Sequence, residues 1–159
     1  ACMEAAFGGT TAEFITFEPT RGITRLTFLF GAALEKPSHR AAACAIINVM
    51  TGFLCISRTR LSCDPECHAA CRRDLIEKVG AMEVGGLHVP VNALSRLPHH
   101  ADVPGCGEVV LVGGEGLISP DAGALFEGDH ATGVLLVGPS TAGVARLEDL
   151  PHWCPYGKE

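Results

Sequence analysis

Two glycine-rich segments carry residue types that suit binding of an anion. GGEG (residues 113–116) follows the apolar run EVVLV, and GPST (residues 138–141) follows GVLLV. Glycine lets a backbone approach a ligand closely, and the first amides of a helix favour negative charge. Alternatively, these glycines only make tight turns, since neither segment is a complete phosphate-binding or dinucleotide-binding motif. The candidate ligand-binding residues here are Gly113, Gly114, Glu115, Gly138, Ser140 and Thr141.

Closely spaced cysteines form a second candidate site. Cys63, Cys67 and Cys71 recur every four residues, with His68 among them. On a helix, Cys67 and Cys71 share one face, and thiolates and imidazole bind zinc and other soft metals. We therefore predict that Cys63, Cys67, His68 and Cys71 ligate a transition metal, zinc or iron. Alternatively, these cysteines are small buried side chains, because Cys71 lies one turn before an apolar stripe.

A cysteine and a histidine could also act together in catalysis. His130 precedes the apolar run GVLLV, a setting in which some cysteine hydrolases place their base, and Cys44 is the nearest candidate nucleophile. Cys44 is predicted in the middle of a helix and not at its start, which weakens the pairing, and His130 is more simply explained as a loop histidine. His99-His100 and His152-Trp153-Cys154 offer further ligands, although such isolated pairs usually lie on the surface.

The elements of the N-terminal half read as strands followed by helices. Alternating and continuous apolar residues predict strands over residues 13–18 and 23–30, joined as a hairpin by the turn at 19–22. Good helix formers predict a helix over 41–50, followed by a short strand over 53–57. An Asp-Pro start predicts a second helix from about residue 64 to 79. Its apolar stripe is formed by Leu75, Ile76, Val79 and Met82.

The C-terminal half alternates short apolar runs with helices. Strands are predicted over 87–91, 108–112 and 133–137, and helices over 119–126 and 142–150; this alternation is typical of a parallel sheet covered on both faces. We predict an α/β fold, with a small α+β N-terminal lobe (1–60) and a Rossmann-like parallel sheet in the C-terminal half (61–159). Ligands of such sheets bind beyond the carboxyl ends of the strands, where both glycine-rich segments lie. Asn48, a polar residue in an apolar helix, is predicted to face the same cleft or to bond a backbone carbonyl.

The composition indicates which classes of binding partner and which cellular compartment to expect. The 159 residues carry a net charge of −6 and no Lys/Arg stripe, which argues against nucleic acid or an anionic membrane as the main partner. The uncharged run 41–57 is too short to span a bilayer. Eight cysteines could form four disulfides in a secreted protein. Because the apolar segments can build a hydrophobic core without disulfide bonds, we favour reduced thiols and a cytoplasmic location.

Three segments together resemble a family of heavy-metal chelation domains. RAAACAIINVM (40–50) is similar to the family's Ala-rich helix, with Asn48 at its Asn, and VLLVGPST (134–141) is similar to a strand and loop of the family. ADVPGCGEVVLVGGEGLI (101–118) resembles another strand and loop, whereas CDPECHAAC lies outside the pattern. The resemblance implies a lobe similar to the enolase N-terminal domain, joined to a Rossmann-like domain.

These observations lead to two functional hypotheses from different classes. We expect a ligand- or metal-binding protein that holds an anionic small molecule, a chelator or a metal complex in the cleft between the lobes. The alternative is a thiol-dependent enzyme, a cysteine hydrolase or a redox protein, that uses a cysteine with His130. A structural subunit whose cysteines are core residues is a third reading. Whether any reaction is catalysed stays open, and a homodimer is compatible with the sequence.

Overall fold

A computed structural model of the protein describes residues 1–87, 89, 107–126 and 133–159. These residues form an α/β fold, as predicted, with an antiparallel hairpin in the N-terminal part and a parallel sheet in the C-terminal half. His99, His100, Cys106 and His130 lie outside the described residues. In chain order the strands and α-helices are β1 (Cys2–Phe7), β2 (Thr10–Ile15), α1 (Pro37–Phe53), α2 (His68–Val79), β3 (Val84–Leu87), β4 (Val109–Val112), α3 (Gly114–Ile118), α4 (Ala122–Phe126), β5 (Gly133–Val137), α5 (Ala142–Leu147) and β6 (His152–Trp153).

The parallel sheet has the strand order β3-β4-β5-β6, and all of its neighbouring strands run parallel. The prediction that β4 and β5 are not an antiparallel pair is confirmed. Alternate residues of β4 enter two separate cores. Leu111 packs with Val79 of α2 on one face, and Val110 packs with Ala145 of α5 on the other. Helices on both faces explain why β4 is continuously apolar.

The N-terminal hairpin differs from the predicted one. β1 and β2 pair through the two-residue loop Gly8-Gly9, whose φ angles of +57° and +82° suit the type I′ turn that matches strand twist. The predicted strand over 23–30 is wrong, because Leu26–Leu29 form a 3₁₀ helix. β2 pairs with β1, which precedes it in the chain. The turn residues at 19–22 had instead suggested pairing with the segment that follows.

Helix α1 is longer than predicted, and the predicted strand over 53–57 is wrong, because Phe53 ends the helix and residues 54–57 form the turn that follows it. The helix ends in a Schellman motif, in which Ile56 N–H donates to the Thr51 carbonyl and Cys55 N–H donates to Gly52. Cys55 takes the left-handed conformation, with φ +57°. Gly52 therefore does not stop the helix; it makes room for the Arg60 side chain, which a Cβ would overlap.

The remaining boundaries shift by a few residues. Strand β3 begins earlier than predicted, and α4 and α5 are shorter than the helices predicted over 119–126 and 142–150. Met82 does not join the apolar stripe of α2, since the helix ends before Gly80 and Met82 is exposed. None of the described helices combines the length and hydropathy needed to cross a bilayer. The domain boundary near residue 60 stays a prediction.

Candidate functional site

The two glycine-rich segments follow β4 and β5 and converge with α1 and β2, a region we call the junction. A Cβ on Gly114 would lie 2.8 Å from the Ser140 Cβ and 2.9 Å from the Ile15 carbonyl oxygen. The segment after β4 thus touches both the segment after β5 and the end of the hairpin. Gly114 is required here by close approach, whatever else the segment does.

Asn48 of α1 lies buried in the junction with its side-chain amide fully bonded. Its Nδ2 donates to the Ser140 carbonyl at 2.8 Å, and its Oδ1 accepts from the Gly143 N–H at 2.9 Å. The predicted convergence of Asn48 and Ser140 is confirmed. The amide bonds backbone groups, which is the structural alternative stated for this residue.

Other polar side chains of the junction are bonded within the protein as well. The Ser140 hydroxyl oxygen accepts from the Ile15 N–H at 2.9 Å, and Glu115 Oε1 accepts from the Phe17 N–H at 2.5 Å. The Thr141 hydroxyl donates to the Gly138 carbonyl at 3.0 Å. The first two contacts connect the end of β2 and the residues just beyond it to the segments that follow the parallel strands β4 and β5. Binding of an anionic ligand by the same residues stays a prediction.

Residues 154–158, near the C-terminus of the sequence, form a second contact region. They lie against α2 and the segment that precedes it. Residues 61 and 158 form an antiparallel bridge, with Lys158 N–H donating to the Leu61 carbonyl at 2.9 Å. The Lys158 ammonium lies 2.5 Å from Asp64 Oδ1. The Tyr156 hydroxyl donates to Asp74 of α2 at 2.6 Å. These contacts position Cys154 beside α2.

Four half-buried cysteines belong to these segments, and we call Cys63, Cys67, Cys71 and Cys154 the thiol cluster. Burial raises the pKa of Cys154 to about 11, and the charges of Cys71 and Cys63 act in the same direction. Burial also raises the pKa of Cys71, and the charges of Cys63 and Cys67 add to the rise. Cys63 acts on both Cys71 and Cys154, and Cys71 acts on Cys154, so the thiol of the C-terminal segment lies within electrostatic reach of the thiols around α2.

Trp153 supplies a polar contact to the cluster. Its indole N–H is buried and has no hydrogen-bond partner of good geometry among the described residues. The N–H lies near the Cys71 sulfur and lowers that thiol's pKa, which partly opposes the effects of burial and Cys63. The Lys78 ammonium stands 5.3 Å from the centre of the indole ring.

The thiol cluster overlaps the predicted metal ligands but differs in one member. Cys63, Cys67 and Cys71 belong to it, whereas His68 begins α2 as an exposed residue and is not among the groups that shift Cys71 or Cys154. In the sequence, Cys154 stands out only as part of the isolated tripeptide His152-Trp153-Cys154. Within the described ranges, no three His, Cys, Asp or Glu side chains are already arranged as ligands of one metal ion.

Cys44, the nucleophile named in the enzyme hypothesis, lies on α1 against Ile118 and Phe14. Burial raises the pKa of its thiol to about 12. Such a thiol is protonated at neutral pH and is a poor nucleophile. All seven described cysteines are free, and Cys2 and Cys55 are the exposed ones.

The chain was also compared with known proteins. No family model, curated protein or solved structure matches it. The resemblance to heavy-metal chelation domains therefore stays a prediction, and the functional conclusion depends on the chemistry of the junction and of the thiol cluster.

Proposed function

We propose that the protein binds a thiophilic metal ion through the thiol cluster. The observation that carries this proposal is the raised pKa of Cys71 and of Cys154, two thiols far apart in the chain, to each of which the charge of Cys63 contributes. Groups that destabilise each other's negative charge are stabilised together by a cation placed among them. A metal ion would replace the thiol protons and relieve the repulsion between the thiolates.

The donor set determines which ions are favoured. Thiolates prefer soft or borderline ions such as Cu⁺, Zn²⁺ and Cd²⁺ over Mg²⁺ or Ca²⁺. The four sulfurs of the thiol cluster are not in coordination geometry. Binding therefore requires their side chains to rotate until each sulfur lies about 2.3 Å from a zinc ion. Each coordinating thiol then loses its proton. The proposal adds Cys154 to the predicted ligands and does not require His68.

Trp153 supports the anionic form of Cys71. A neutral thiol is a weak acceptor, whereas a metal-bound thiolate accepts well from an N–H group. The indole N–H, which has no good partner among the described residues, would then donate to the coordinated sulfur. Such donors to first-shell ligands tune metal affinity by about 10–100-fold. We expect Trp153→Phe, which keeps the ring but removes the donor, to weaken binding within that range.

Metal affinity should depend on pH because protons leave the cluster on binding. The pKa values of Cys71 and Cys154 lie above the ordinary thiol value of 9.0, so both thiols are protonated at neutral pH. Apparent affinity should therefore rise with pH throughout the range 6 to 8.5, by about tenfold per pH unit for each proton released. A pH-independent affinity would contradict coordination by these thiols.

The test is a titration of the fully reduced protein with Zn²⁺ in competition with a chromogenic chelator, repeated with Cd²⁺ while thiolate-to-metal absorption is followed. We expect one ion per chain. If about 12 kcal/mol of zinc affinity is shared by four thiolates, losing one costs about 3 kcal/mol, or roughly 100-fold. Cys154→Ser should weaken binding by that factor, and Cys67→Ser combined with Cys71→Ser should abolish it.

Cys55→Ser is the matched control, since Cys55 is exposed and outside the cluster. It should bind the ion as the unmodified protein does. Circular dichroism of each variant establishes that the fold is retained. Unchanged affinity of a folded Cys154→Ser, or equal loss in Cys55→Ser, would refute the proposal.

A further inference from the structure

The outer edge of β1 has unpaired backbone groups. Ala1 and Thr16 exchange two hydrogen bonds, with the Ala1 amine donating to Thr16 O at 2.8 Å and Thr16 N–H donating to Ala1 O at 2.9 Å. In an antiparallel ladder the direction alternates along the strand, so the N–H and C=O groups of Cys2, Glu4 and Ala6 point away from β2. In the part of the chain that the structure describes, no group bonds to them.

A groove of about 510 Å³ lies beside this edge. Residues 3–7 form one wall and residues 20–26 form the other. The floor consists of α1 side chains, namely Ala42, Ala45, Ile46 and Val49. Because a strand advances about 3.3 Å per residue, the five-residue wall is about 17 Å long. The groove is thus long enough for an extended segment of about five residues.

The far wall carries positive charge and exposed apolar surface. Arg21 and Arg25 line the groove, and neither forms an ion pair with a described residue. Ile23, between them, is fully exposed. Glu4 is the one acidic residue of the lining. The two guanidinium groups favour an occupant with carboxylates.

The other edge of the hairpin is already occupied. Glu13 N–H donates to the Arg60 carbonyl at 2.9 Å, and Ile15 N–H donates to the Ser140 hydroxyl. β1 therefore offers the open edge of this sheet within the described residues. A two-stranded sheet gains stability when a third strand pairs with it.

We propose that the groove binds an extended, acidic segment of a partner polypeptide, which pairs with β1 as a third strand. Alternate apolar side chains of the segment pack on the α1 floor, and its carboxylates lie near Arg21 and Arg25. Backbone groups of Glu4 and Ala6 provide the hydrogen bonds, as in other cases of strand addition. A small amphiphile could cover the floor, but it would leave these backbone groups unpaired.

The probe is the peptide acetyl-Val-Asp-Val-Asp-Val-amide, added to the full ¹⁵N-labelled chain. Hydrogen exchange of the Glu4 and Ala6 amides is followed by NMR. We expect saturating peptide to slow both at least tenfold, because each amide gains a hydrogen bond. The Met3 and Ala5 amides, which face β2, serve as internal controls and should change little.

Matched variants separate strand addition from other binding. A peptide with proline at the central position lacks a backbone donor, and one with lysine in place of aspartate reverses the charge; each should bind at least tenfold more weakly. Arg21→Ala with Arg25→Ala should weaken binding similarly, whereas Arg58→Ala, at an exposed position outside the groove lining, should not. Absence of peptide binding, or binding without protection of Glu4 and Ala6, would overturn the proposal. Dodecanoate that binds here when the peptide does not would also overturn it.

Discussion

Polar side chains at the junction bond backbone groups of the protein itself. Examples are Ser140, Glu115 and Asn48, which are among the residues predicted to bind a ligand. A polar residue after a strand or in a buried helix can bind a ligand or can bond another part of the same chain, and both uses favour the same amino acids. Here the Ser140 hydroxyl and the Glu115 carboxylate accept from backbone N–H groups at the end of the hairpin. Sequence reasoning found the residues because their types and positions are distinctive. It could not identify the partner, which lies about 100 residues away in the chain.

The Ser140 contact leads to a prediction about stability. Ser140→Ala leaves the Ile15 N–H without its acceptor, and we expect the free energy of unfolding to fall by about 1–2 kcal/mol. Urea denaturation measures this change. Thr20→Ala, at an exposed position, is the control and should stay within about 0.5 kcal/mol of the unmodified protein. A stable Ser140→Ala variant would instead favour a ligand-binding role for this hydroxyl.

At the scale of elements, the sequence predicted strand bounds best where every residue of a strand is apolar and the strand is covered on both faces. Gly133–Val137 forms a strand with the predicted bounds, because a five-residue apolar run between turn signals has few other uses. β1 was missed since it contains no β-branched residue and most of its side chains are exposed. β6 has only two residues, too few to show any periodicity. Cys154 follows β6, and its place in the thiol cluster was for that reason not predictable.

The contact between α1 and α5 gives a prediction at this scale. A Cβ on Gly143 would lie 2.6 Å from Asn48 Oδ1 and 2.8 Å from Thr51 Oγ1. Gly143→Ala should force the helices apart and lower the free energy of unfolding by about 1–3 kcal/mol, although alanine is the better helix former. Thermal unfolding measures the effect.

Gly123 of α4 provides the matched glycine, because a Cβ there meets nothing within 4 Å. Gly123→Ala should leave stability unchanged or raise it by up to about 1 kcal/mol. If Gly143→Ala were as stable as Gly123→Ala, close packing of α1 on α5 would be excluded as the reason for glycine at 143.

At the scale of the whole molecule, the hairpin does not stand apart from the parallel sheet. The outward N–H groups of β2 bond to Arg60 and Ser140, and the Phe17 N–H just beyond it bonds to Glu115. Helix α1 packs on β2 with one part of its surface and on α5 with another. We therefore expect one cooperative unfolding transition for the described elements.

Acid should weaken this structure through His152. Burial lowers the pKa of His152 from 6.5, and its Nε2 donates to the Gly138 carbonyl at 2.9 Å. Above pH 6.5 the ring is neutral in both the folded and the unfolded chain. Below it the unfolded chain binds the proton more readily, so stability is lost as the pH falls. Urea midpoints measured between pH 7.5 and 5 should decrease, and His152→Gln should reduce that decrease. An identical pH profile in the variant would exclude His152 as its cause.

The bridge between residues 61 and 158 also bears on the order in which the chain assembles. It closes a loop of about 97 residues (158 − 61). Closing so long a loop costs about 2 kcal/mol more in chain entropy than closing one of ten residues. We expect this contact to form late in folding, after the local helices. A nascent chain that has not yet reached residue 154 lacks both the fourth thiol and the segment that bonds to residues 60–64 and to α2. Completion of the thiol cluster would then wait until residues 154–158 are available for folding, and a chain stalled on the ribosome before residue 154 would expose Cys63, Cys67 and Cys71 to the solvent.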